Sequence, residues 1–282
     1  MRTSLRRSGR TMILMGALTL TLAAAACSAD KPAAAPEAAP ATVPAVDPGK
    51  PGVLLVHGAF ADGSSWGGVA EQLQAKGFRV TTAAVPLRGL TYDSAYIRGL
   101  LDAMPGRTLL VGHSYGGAVI TNAAAGSAKA AGLVYVAAFA PDQGESLGEL
   151  DGRFGGPATE ITVPHPVGGD PVPELRIADE KFPGYFAQDV APVRAAVLAA
   201  GQRPISVAAF TERTAEPAWR TLPSWYLVAT DDRMIPPAGQ REMAGRAKAV
   251  VTEHAGSHAI AVSHPDAVVR VIDQAAAAVA AR

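Results

Sequence analysis

The chain of 282 residues contains a single cysteine, Cys27. A lone thiol excludes an internal disulfide and any metal cluster built from several thiolates. Charge of one sign is equally missing: 25 Lys+Arg stand against 25 Asp+Glu. Without a basic surplus the chain carries no electrostatic footprint for nucleic acid. The histidines do not pair with carboxylates at the spacing of a metal motif, so no metal or other cofactor is expected. The longest apolar run, TMILMGALTLTLAAAA, falls short of a membrane span. What the chain does have is 49% hydrophobic residues, enough to bury the core of one large α/β domain.

The apolar run follows a basic stretch, MRTSLRRSGR, and ends in small residues. That order is the pattern of a secretory signal, expected over residues 1–26. Its removal takes four arginines and no acid, leaving 21 Lys+Arg against 25 Asp+Glu and a net charge of −4. Ala24-Ala25-Ala26-Cys27 resembles a bacterial lipoprotein cleavage site, with Ala24 where that motif usually has leucine. Lipidation of Cys27 is therefore expected, with a freely secreted chain as the alternative. Arg6-Arg7 is the pair read in twin-arginine export, but the residues after it fit that signal poorly. Residues 27–50 are rich in Ala and Pro and read as an extended tether. An anchored tether would hold a domain off a membrane surface.

From residue 51 onward, short apolar runs alternate with helical stretches. Strands are expected over 53–56, 78–85, 108–111, 133–137, 225–230 and 249–253. Helices are expected over 65–76, from an Asp93 or Ser94 cap to about 103, over 117–125, within 237–247 and over 265–280. This alternation builds βαβ units, hence a mostly parallel sheet of about six strands flanked by helices. Residues 139–220 are rich in Pro and Gly with weak periodicity. That stretch is too long for a plain loop and reads as a cap inserted over one end of the sheet, within a domain of residues 51–282.

Gly112-His113-Ser114-Tyr115-Gly116 stands between an expected strand and an expected helix. This is the context of a G-x-S-x-G nucleophile elbow, in which glycines allow a tight turn and expose the serine oxygen. Ser114 is the candidate nucleophile, and the alternative is a helix N-cap serine. A hydroxyl needs a base to take its proton. His254, His258 and His264 lie late in the chain, as the order Ser, acid, His requires. His258 sits in HAGSHAI, a loop of small residues at the active end of the sheet. His254 falls at a strand end, and His264 at a helix start. YLVATDDRMIPP offers Asp231 and Asp232 as the acid that holds the imidazole. Asp142 and Glu145, after an earlier strand, are weaker rivals. Oxyanion donors are expected from the backbone N–H of Tyr115 and from the turn after His57-Gly58: Ala59 first, Phe60 next. His57 and His113, fixed in glycine turns, read as structural or pocket-wall residues. Phe154, Phe182, Tyr185, Phe186, Phe210 and Trp219 in the expected cap read chiefly as packing residues, some of them available to an apolar pocket.

Taken in order, LLVHGAF, LLVGHSYGGAVI, LVYVAAFAPDQGES, ATDDRMIPP and AGSHAIAVSHPDAV resemble the α/β-hydrolase superfamily. The chain is most similar to the branch of plant methylesterases, hydroxynitrile lyases and their bacterial esterase relatives. The resemblance covers about residues 52–282. It implies a Ser-His-Asp triad of Ser114, His258 and Asp232. The last aspartate before a short proline-containing loop is the acid of that branch. It also implies Ala59 as an oxyanion donor and a sheet that begins without a leading hairpin. The lyases of the branch carry a lysine after the catalytic histidine, where this chain has Ala259. Relatives with an aspartate nucleophile, the dehalogenases and epoxide hydrolases, are excluded by Ser114. The expected activity is hydrolysis of a small carboxylic ester through an acyl-enzyme. Lactone or amide hydrolysis, or perhydrolysis, at the same site is an alternative, as is a tethered binding protein that kept the fold without the chemistry.

Overall fold

The computed structural model describes residues 44–165 and 173–281. The expected signal segment, Cys27 and most of the tether lie outside the described residues. The chain enters the fold through β1 (Gly52–Val56), α1 (Gly67–Ala75), β2 (Val80–Ala83), α2 (Leu90–Ala103), β3 (Thr108–His113), α3 (Tyr115–Ala123) and β4 (Ala130–Val136). A long insertion follows: α4 (Leu147–Phe154), α5 (Ala158–Ile161), β5 (Thr162–His165), β6 (Glu174–Ile177), α6 (Phe182–Tyr185), α7 (Pro192–Ala200), β7 (Ile205–Ser206) and α8 (Ala208–Thr211). The chain then completes the sheet with β8 (Ser224–Ala229), α9 (Pro237–Arg246), β9 (Val250–His254), α10 (Ile260–Ser263) and α11 (Pro265–Ala280).

Six strands form one sheet in the order β2-β1-β3-β4-β8-β9, and every pairing is parallel. This is the fold expected from the alternation of runs. Both faces of a parallel sheet are covered by crossover helices, so its inner strands are continuously apolar. GVLLV of β1 and SWYLVA of β8 are buried at every residue. The period of two sorts them: Leu54, Val56 and Leu110 pack with α2 and α3 on one face, while Val53, Leu55, Leu109 and Val111 pack with α1 and α11 on the other. The parallel register sets Val56 beside Gly112 and Gly112 beside Tyr135. The carboxyl ends of the strands therefore open on one edge, the place where such sheets bind ligands.

Local boundaries depart from expectation where side chains find distant partners. The helix expected to start at Asp93 or Ser94 starts at Leu90 after Gly89, so neither residue caps it. Asp93 instead turns inward and is fully buried. The second strand is four residues, shorter than the expected 78–85. The insertion carries its own antiparallel sheet, in the order β5-β6-β7, which weak periodicity did not reveal.

Candidate active site

Ser114 sits between β3 and α3 with φ 53° and ψ −124°. A positive φ is costly for a residue with a β-carbon, and it persists only where the surroundings enforce it. The enforcement comes from both sides. The Val136 carbonyl accepts from Ser114 N–H at 3.3 Å, while the Ser114 carbonyl accepts from Gly117 N–H at 3.0 Å and Phe139 N–H at 3.1 Å. The turn is so tight that a β-carbon at Gly112 would lie 2.5 Å from the Gly116 carbonyl oxygen. Beside it, the Tyr115 hydroxyl donates to Asp93 Oδ2 at 2.7 Å in a buried pair. Burial pushes the Asp93 carboxyl up, although the Tyr115 hydroxyl and the Arg88 and Gly89 N–H groups oppose this. Asp93 thus fixes the residue after the serine. Ser114 itself is 7% exposed, and its hydroxyl makes no hydrogen bond among the described residues.

His258 and Asp232 meet in the interior. His258 Nδ1 lies 2.8 Å from Asp232 Oδ2, with the two side chains 1% and 0% exposed. A carboxylate only accepts, so Nδ1 carries the proton and a neutral imidazole keeps Nε2 as an acceptor. The remaining capacity of Asp232 is filled. Oδ1 accepts from Met234 N–H at 2.7 Å and Ile235 N–H at 3.0 Å, and Oδ2 also accepts from Gln240 Nε2 at 2.8 Å. Gln240 is locked in turn, donating to the Ile235 carbonyl and accepting from Ala229 N–H. The His258 ring lies 4.7 Å from that of His113, the residue before Ser114, and His113 Nε2 donates to the His258 carbonyl at 2.8 Å. Burial holds His113 well below the usual histidine range, so it is a neutral spacer between the elbow and the His258 loop. The ring of Phe186, from the insertion, stands edge-on to His258 at 4.9 Å.

Opposite the elbow, β1 ends in His57-Gly58. A β-carbon at Gly58 would lie 2.6 Å from Ser114 Cβ, so only glycine lets this turn approach. Phe60 has φ 60°. The N–H groups of Ala59 and Phe60 have no acceptor among the described residues, and the N–H of Tyr115, first residue of α3, has none within its helix. Ala59, Ser114 and Tyr115 share one narrow pocket. Its walls are mostly apolar: Phe60, Phe139, Leu147, Phe210, Met234 and Ile235, with Asp151 also facing in.

The other sequence candidates lie elsewhere. Asp231 is exposed, unlike its neighbour. Asp142 pairs with Arg220, and Glu145 with Arg246. His57 accepts from Val85 N–H through Nε2 and donates from Nδ1 to the Gly58 carbonyl. Burial lowers it to about 4, so it braces the turn as a neutral ring. His254 and His264 face each other at 4.5 Å, and His264 Nε2 lies 3.6 Å from Asp189 Oδ2. Trp219 donates to the Pro141 carbonyl, and Phe182 stacks on Phe186. Gln240 and Asp151 carry no motif and were not singled out by the sequence, and Asp93 was read only as a helix cap. Asp189 also went unnoticed. Its Oδ2 accepts from Ser257 N–H at 2.8 Å and Ser263 Oγ at 2.9 Å, so the insertion holds both sides of the His258 loop. Partial burial raises the Asp189 carboxyl, but these hydrogen bonds outweigh it and the net shift is downward. Asp189→Ala is expected to cost about 1 kcal/mol of stability, less than the usual ~1.5–3 kcal/mol for hydrogen bonds to a charged group because the site is partly wet. Urea midpoints unchanged between the two proteins would remove this clamp from the account.

Residues 53–271 match the alpha/beta hydrolase family. An alpha/beta hydrolase, nvfD, of Aspergillus novofumigatus is 26% identical over 249 residues, 80% of this chain and 97% of that protein. A carbendazim hydrolyzing esterase of Nocardioides sp. is 38% identical over 108 residues, 33% of this chain and 44% of that protein. Among solved structures, a methylesterase from Arabidopsis superposes with a TM-score of 0.68 at 20% identity, over 80% of this chain and 99% of its own. A pyrethroid hydrolase from Sphingobium faniae gives 0.65 at 23%, over 82% of this chain and 99% of its own. With its parallel sheet, its strained serine turn and a family match over most of its length, the chain belongs to the alpha/beta hydrolase family.

Proposed function

We propose that this protein is a serine esterase that cleaves small carboxylic esters through an acyl-enzyme. The observation that carries the reading is the buried His258–Asp232 pair packed on the residue before Ser114. Ser114 Oγ attacks the ester carbonyl carbon while His258 Nε2 takes the hydroxyl proton. Asp232 keeps Nδ1 protonated and stabilises the imidazolium. The oxyanion is held by the N–H groups of Tyr115 and Ala59, with Phe60 N–H as a further donor. Each such donor is worth about 2.7–4 kcal/mol. The tetrahedral species collapses as the C–O bond to the alcohol breaks and His258 returns the proton to the leaving oxygen. Water then loses a proton to His258 and attacks the acyl carbon; the bond from that carbon to Ser114 Oγ breaks, His258 returns the proton to Oγ, and the acid leaves. The carbendazim esterase among the relatives supports ester cleavage. The basic and apolar N-terminus followed by Cys27 supports an exported, lipid-tethered enzyme.

The test is a panel of short- and medium-chain p-nitrophenyl esters with the full chain, beside labelling by a fluorophosphonate. Serine attack on phosphorus expels fluoride and leaves a covalent adduct. Turnover is expected, with the adduct mass on the peptide that contains Ser114. Labelling elsewhere, or ester turnover that survives full labelling of Ser114, would overturn the reading.

A further inference from the structure

Helix α4 buries Leu147, Leu150 and Asp151. Positions 147, 150, 151 and 154 share one helical face, and such a face normally carries only apolar residues. Asp151 breaks that rule at 8% exposure, on the wall of the pocket that holds Ser114. Room has been made for its carboxylate: the chain passes so close that a β-carbon at Gly156 would lie 2.0 Å from Oδ1. Burial pushes Asp151 up to about 6, opposed by the Ala158 N–H, with no cation or second acid contributing. At neutral pH the group is therefore a carboxylate held on a mostly apolar wall, and no side chain among the described residues donates to it. A ligand donor entering the pocket can bond to it, in a setting where charge-assisted hydrogen bonds are strong.

We propose that Asp151 is a specificity-determining residue, selecting esters that carry a hydrogen-bond donor, hydroxyl or ammonium, within the Ser114 pocket. This rests on the esterase reading and names its substrate class. A site built to bond a substrate donor discriminates strongly against the analogue that lacks it, because the protein group is then left unpaired. A purely structural Asp151, bracing α5 through Ala158, would move stability and leave substrate preference unchanged.

The test uses matched esters that differ in one group. Ethyl isovalerate, ethyl β-hydroxybutanoate and ethyl β-aminobutanoate place a methyl, a hydroxyl or an ammonium on the acyl side. Propyl butanoate and hydroxyethyl butanoate place a methyl or a hydroxyl on the alcohol side. Acid release is followed at neutral pH for wild type, Asp151→Leu and Asp151→Asn. In at least one series, wild type is expected to favour the donor ester by at least about tenfold in kcat/KM. Asp151→Leu is expected to erase that ratio while still hydrolysing the methyl analogue. Asp151→Asn, whose amide oxygen still accepts, is expected to keep a hydroxyl preference and lose an ammonium preference. Equal wild-type rates on donor and methyl esters, or a donor preference intact in Asp151→Leu, would overturn the assignment of Asp151 and leave the esterase reading standing. If Asp151→Leu does not fold, an ammonium preference unchanged in Asp151→Asn overturns it for cationic donors, and a hydroxyl preference lost there overturns it for neutral ones. Absence of hydrolysis on every ester by wild type would overturn both the esterase reading and this inference.

Discussion

Ser114→Gly is expected to abolish ester turnover and, at the same time, to raise the melting temperature. The kinetic loss follows from removing the attacking oxygen, and for a triad serine it amounts to about 10⁶-fold in kcat. The gain in stability follows from the backbone. Ser114 holds φ 53° and ψ −124°, a conformation that costs a residue with a β-carbon about 1–3 kcal/mol. Glycine adopts it freely but loses more chain entropy on folding, by about 0.4–1 kcal/mol. The net is about 1 kcal/mol of added stability, or some 2–4 °C for a domain of this size. Because the hydroxyl makes no hydrogen bond among the described residues, its removal orphans no partner. Ser114→Ala should lose as much activity without the stabilisation, since its β-carbon keeps the strain. Calorimetry on the three proteins separates these outcomes. A glycine variant that melts no higher than the alanine variant would mean that the elbow stores no relievable strain.

Asp232→Asn should lower kcat by about 10⁴-fold with substrate binding little changed. Oδ1 accepts from two backbone N–H groups and Oδ2 from Gln240 and His258. An asparagine must keep its oxygen toward Met234 and Ile235, so its amide nitrogen faces two donors. Gln240 cannot turn away without giving up Ala229 N–H and the Ile235 carbonyl. His258 therefore sheds the Nδ1 proton and carries it on Nε2, where it can no longer accept from Ser114. Stability should also fall by about 1–3 kcal/mol, the cost of a buried donor facing a donor. Kinetics on the p-nitrophenyl panel and imidazole proton shifts by NMR report the two effects. A variant within tenfold of wild type would show that Asp232 does not set the His258 tautomer.

Two features were legible in the chain because they are local. Apolar runs of four to six residues alternating with amphipathic ones dictate a parallel sheet, and SWYLVA, buried throughout, lies inside it between two neighbours. Glycines at 112 and 116 around a serine dictate a tight turn, and the turn is there. The aspartate pair was open by pattern alone, since both follow the same strand. The tertiary structure buries Asp232 on His258 and leaves Asp231 in solvent. Asp93 looked like a helix cap, which local preference favours, but the Tyr115 hydroxyl draws it into the core from 22 residues away. Gln240 and Asp189 carry no signal, because a helix glutamine and a loop aspartate are ordinary until folding sets them against Asp232 and the Ser257 N–H, the latter 68 residues distant. The layers, the turn and the residue types available for chemistry are matters of neighbours along the chain, and local pattern fixes them. Which carboxylate meets which imidazole, and which acid, Asp151, lies in the pocket, follow from folding, because burial and hydrogen bonding at these sites depend on segments that are distant in sequence.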